Sequence, residues 1–132
     1  MVDRLSDLRT RLLELHKLLL DDQRGTYEST YGPVTGPELL QLLLGHEQFA
    51  WLRSLSGMIS TIDAALDETE GGLTDSEVET FFDRTGALLR SGVDGPFATK
   101  YRDALQRSPD VVMAHAAVVR LFRPPSKRRS ES

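Results

Sequence analysis

Cysteine is absent from this sequence. That excludes a disulfide scaffold, a thiol nucleophile, an iron–sulfur cluster and every cysteine-based zinc site. Long hydrophobic runs are missing as well. The apolar stretches at 18–20, 42–44 and 116–119 fall far short of the roughly 20 residues a membrane span requires. Met1-Val2-Asp3-Arg4 brings in charge at once with no apolar run behind it, so no secretory signal is expected and the reading is cytoplasmic. A positive excess is lacking: the formal net charge is -4. This disfavours the basic footprint of a nucleic-acid binder. Alternation with period two is nearly absent, which argues against a sheet.

What is present is helical. A chain of 132 residues is one domain by size, and it can bury about two-thirds of its unfolded surface without a disulfide or a metal. Leucine, alanine, glutamate and arginine dominate, and turn signals fall at helical spacing. The pattern predicts an all-α, up-and-down bundle of four to five helices over residues 1–123. A disordered basic tail is expected over 124–132. Without Arg123 and the residues after it, twelve basic groups face nineteen acidic ones, so the body is more acidic than the total suggests.

The first helix is expected over 3–31, with Leu5, Leu8, Leu12, Leu15 and Leu19 as an a/d seam. Leu13, Leu18 and Leu20 widen its apolar face, and Gly32-Pro33 stops it. The second starts at the capping box Thr35…Glu38 and runs to about Asp67, with Gly45-His46 as a possible break. Trp51, Leu52, Leu55, Ile59 and Ile62 belong to its core stripe. The small residues Ser56, Gly57, Ser60, Thr61 and Ala64 opposite would admit a second helix closely. The third opens at the capping box Thr74…Glu77, with Leu73 and Val78 as a hydrophobic staple and Gly92 as C-cap. The fourth, near 96–106, takes its cap from Asp94. The fifth begins at Ser108-Pro109. It is apolar nearly all round up to Arg120, so it should be buried on most sides or form a subunit interface.

Three histidines are the main chemical constellation. His16, His46 and His115 fall on different helices, each flanked by apolar residues a turn away. Histidines on facing bundle helices can hold a metal or haem. The carboxylate spacing of a di-metal bundle is absent, so no metal and no cofactor are expected. Trp51, Tyr27 and Tyr31 are candidate pocket walls alongside the histidines. Ser56 lies in mid-helix, where a nucleophile elbow cannot form. Asp63 and Asp67 share a face and could share a proton or a cation. A helix over 111–119 offers no polar side chain that could read a major groove.

The segments Glu14-Leu15-His16-Lys17-Leu18-Leu19-Leu20, Tyr31-Gly32-Pro33-Val34 and Phe49-Ala50-Trp51-Leu52-Arg53-Ser54-Leu55-Ser56 lie in the first half of the chain. In them the chain resembles a family of uncharacterised small bacterial all-helical proteins. The resemblance implies a helical fold and carries no activity or site residue. From the residues themselves, the expected role is non-enzymatic. It is self-association as a homodimer, or binding of another protein, with Val111, Val112, Val118, Val119, Leu13 and Leu20 as interface candidates. The alternative is a ligand- or metal-binding sensor bundle built on the histidines and aromatics. An enzyme of unrecognised type stands third.

Overall fold

The structure, a computed structural model, describes residues 2–68, 73–90 and 96–122. These are all-α. Six α-helices and one 3-10 segment follow in chain order: α1 (Val2–Tyr31), α2 (Gly36–Gly45), the 3-10 segment (Glu47–Leu52), α3 (Arg53–Glu68), α4 (Asp75–Arg90), α5 (Pro96–Arg107) and α6 (Pro109–Arg120). This corrects the expected count of four to five. The extra element comes from the long second helix, which breaks after Gly45. The Gly92 and Asp94 caps and the 124–132 tail lie outside the described residues.

α1 is the spine. Its seam residues Leu5, Leu8, Leu12, Leu15 and Leu19 are fully buried, as the 3–4 spacing requires. The helix ends where the Gly32 N–H donates to the Glu28 carbonyl at 2.8 Å. Gly32 takes φ +93 there, a left-handed conformation that favours glycine. α6, α3 and α4 pack along α1, while α2 rests chiefly on the 3-10 segment. Two ion pairs tie α1 to its neighbours, Arg4–Glu79 at 2.7 Å and Arg107–Asp22 at 2.5 Å. A third joins Arg9 to Asp63.

The caps form as their sequences specify. Thr35 Oγ1 accepts from the Glu38 N–H, and the Glu38 carboxylate accepts from the Thr35 N–H. Thr74 and Glu77 repeat the box at α4, at 3.1 and 2.8 Å. Ser108 caps α6. Thr74→Ala removes one partner of an otherwise orphaned helix donor and should cost about 1 kcal/mol. Urea unfolding followed by circular dichroism measures it.

Two expectations about packing are corrected. α6 is apolar nearly all round, yet it buries only one stripe, Val111, Ala114 and Val118. Val112 and Met113 on its other side are exposed in the single chain, which overturns burial on most sides and leaves the subunit-interface alternative as it was. Among the described residues the small-residue face of α3 also has no close neighbour: Gly57, Ser60, Thr61 and Ala64 are exposed, and a Cβ on Gly57 would meet nothing within 4 Å. Only Ser56 of that set turns inward.

Candidate functional site

The three histidines are held in three different hydrogen-bond settings. His16 on α1 meets Ser56 on α3, Nε2 to Oγ, at 2.7 Å. Ser56 Oγ donates to the Leu52 carbonyl at 3.2 Å. With the hydroxyl proton committed there, Nε2 carries its own proton and donates to Oγ. That polarity is the reverse of a base activating a serine. Burial keeps the His16 imidazole below its ordinary pKa and therefore favours the neutral ring.

His115 on α6 accepts at Nδ1 from the Tyr101 hydroxyl on α5, at 2.6 Å. Tyr101 is buried, and burial raises its pKa, so it stays a donor. Burial lowers the pKa of His115, which keeps Nδ1 available as an acceptor. This bond closes a run of rings, Trp51 to Phe97 at 5.4 Å, Phe97 to Tyr101 at 5.3 Å and Tyr101 to His115 at 5.5 Å. Trp51 is buried, and its indole N–H donates to the buried Gln23 carboxamide at 3.0 Å. Tryptophan can only donate, which fixes the Gln23 oxygen toward it. Gln23 was not visible as a core residue in the sequence, because a glutamine on a helix face reads as solvated. Its one clue was position: it continues the buried seam one turn after Leu19.

His46 does a different job. Its backbone N–H caps the end of α2 by donating to the Leu42 carbonyl at 2.8 Å. Its Nδ1 accepts from the Gln48 N–H at 3.0 Å and so starts the 3-10 segment. The imidazole thereby takes the place that serine or asparagine fills at other helix starts. Its ring stands edge-on to Tyr27 at 5.5 Å and to Phe49 at 6.2 Å. Tyr27 in turn lies 4.7 Å from Tyr31. Of the six pocket candidates, the fold thus brings Tyr27, Tyr31 and His46 into one cluster. Trp51 and His115 belong to the other run of rings, and His16 stands apart from both. Among the described residues no group of three histidines and carboxylates is placed to hold a metal.

The Tyr27–Tyr31–His46 cluster borders a hollow of about 480 Å³ between the end of α1 and α2. Pro33, Val34, Glu38, Gln41 and Leu42 complete much of its wall. The corner below it is rigid. Glu28 accepts from the Val34 N–H at 2.9 Å and from Arg24, while Arg24 donates to the Val34 carbonyl at 2.6 Å. These bonds, the Val34 N–H first, hold the Glu28 carboxyl below the usual carboxylate range.

The interface candidates separate. Val111 and Val118 are fully buried inside the chain and belong to its own core. Leu20 and Val119 are half-buried. Leu13 and Val112 are exposed. The most exposed leucines were not among those six: Leu40 and Leu44 on α2, at 56% and 65%. One signal could have found them. α2 has five leucines in ten residues, more than a single buried stripe uses. Among the described residues, no helix is long and apolar enough to cross a membrane. Compared with protein-family models, curated proteins and solved structures, the chain has no match in any of the three.

Proposed function

We propose that this protein is a non-enzymatic, cytoplasmic interaction module that self-associates through the outward face of α2. The carrying observation is the ridge of Leu40 and Leu44, which lie four residues apart and are both more than half exposed. Leu39 faces the core from the same helix, so the ridge is surplus to the chain's own packing. An occupant is suggested by symmetry. Two copies of α2 laid antiparallel place the same ridge on both sides, as a twofold interface requires. The arrangement also opposes the helix dipoles. The role of the three histidines as hydrogen-bonded structural groups supports the non-enzymatic part of the reading.

Magnitudes limit the strength of the dimer. Covering four half-exposed leucines contributes on the order of 4–8 kcal/mol before association costs. A micromolar dimer needs about 8 kcal/mol net and a millimolar one about 4, so with association costing about 4 kcal/mol or more the ridge supports a dimer that forms only toward the millimolar end. Sedimentation velocity across the micromolar range and up to roughly 1 mM should show the wild type moving from monomer to dimer. Leu40→Glu with Leu44→Glu should stay monomeric with unchanged helicity. A wild-type monomer throughout that range contradicts the reading.

A further inference from the structure

The hollow between α1 and α2 has a composition that selects a ligand. Three of its walls are aromatic rings, Tyr27, Tyr31 and His46. Among the described residues, Glu38 is its one carboxylate and no lysine or arginine lines it. Tyr31 is 67% exposed although it is a large ring, so its face is open to the hollow and to solvent. Two guanidiniums bond beside the hollow and both are engaged: Arg24 by the Glu28 carboxylate and the Val34 carbonyl, and Arg53 by the Leu43 and Leu44 carbonyls. Glu38 keeps its charge in place through the capping box, since one carboxylate oxygen accepts from the Thr35 N–H at 2.8 Å.

Aromatic faces carry negative quadrupole potential and attract cations, and a desolvated cation gains most from them. A compact, strongly hydrated ammonium would lose too much water for a shallow site. A methylated ammonium has shed most of that hydration and presents an apolar shell to the rings. The carboxylate at the rim adds charge complementarity without burying an unpaired ion. The acidic body around it favours the same sign of ligand.

We propose that this hollow is a binding site for a small quaternary or methylated ammonium, held against the open face of Tyr31, which is backed by Tyr27, and neutralised by Glu38. The site is separate from the α2 ridge: helical geometry puts Glu38 and Gln41 on one flank of α2 and Leu40 with Leu44 away from it. It therefore stands or falls independently of self-association.

The probe is choline, set against its carbon isostere, in which a quaternary carbon replaces the nitrogen. Titration is followed by the aromatic proton resonances of Tyr27, Tyr31 and His46 in the full chain. Choline should shift these resonances with a dissociation constant in the millimolar range, and the isostere should bind at least fivefold more weakly. Tyr31→Ala alters an exposed side chain and leaves the fold intact, yet it should weaken choline by roughly threefold to fivefold. Glu38→Gln keeps an acceptor for the Thr35 N–H and removes only the charge, and it should weaken choline by a similar factor. Equal affinity for choline and the isostere overturns the proposal in favour of a merely apolar hollow. So does the absence of any shift for choline, or undiminished binding by both variants.

Discussion

Phe49→Ala should lower the free energy of unfolding by about 3–5 kcal/mol, a large part of the total for a domain of this size. Phe49 is fully buried and sits on the 3-10 segment, where the long second helix was expected to continue. Its ring faces Tyr27 at 5.8 Å and His46 at 6.2 Å, so it forms the floor beneath the aromatic cluster. Removing it takes away the transfer free energy of the ring and leaves a cavity at the junction on which α2 rests. The same change should blunt choline binding by loosening Tyr27 and His46. Tyr31→Ala, by contrast, should change stability by no more than about 0.5 kcal/mol, because the ring is exposed. Urea unfolding followed by Trp51 fluorescence reads both variants. A loss below about 1 kcal/mol for Phe49→Ala would show that the 3-10 segment is not packed as described.

The contrast between these two aromatics shows where sequence reasoning held and where it stopped. The α1 seam was legible because five leucines at alternating spacings of three and four can bury together only on one helix face. Both capping boxes and the Ser108 cap were legible because their hydrogen bonds are local in sequence. The break near Gly45-His46 was legible as a weak point. Its form, an imidazole starting a 3-10 segment, was not, since histidine rarely announces itself as a cap. The non-local pairings Gln23–Trp51, His16–Ser56 and Tyr101–His115 lay beyond reach for a different reason. A periodic pattern tells which face of a helix turns inward but not which neighbour it meets. α6 fails for the same cause in reverse. Its composition is apolar all round, and only the position of α1 and α5 decides that Val111 and Val118 are covered while Val112 and Met113 are not.

Acidification should destabilise the protein well before its carboxylates titrate. His16 and His115 both have folded-state pKa values below the ordinary 6.5, burial being the cause in each case. The unfolded chain therefore takes up protons at a higher pH than the folded chain does. Above about pH 6.5 the stability is at its plateau. As pH falls through that value the unfolded state gains protons first and stability drops; it levels again only below the folded values. Each imidazole contributes at most about 1.4 kcal/mol per pH unit within that window. Structure supplies a second reason for the loss. A proton on His115 Nδ1 evicts the Tyr101 hydroxyl proton from its acceptor and leaves a buried donor without a partner. Glu28 acts in a separate window. Its depressed pKa means that its contribution is lost only as pH falls below the ordinary carboxylate value of 4.5. Urea midpoints measured between about pH 8 and pH 5 isolate the histidine window from the carboxylate one. The wild-type midpoint should hold level above about pH 6.5 and fall below it, and His16→Gln with His115→Gln should flatten that fall, since neither glutamine takes up a proton. A double variant that declines as steeply as the wild type would assign the acid sensitivity to other groups.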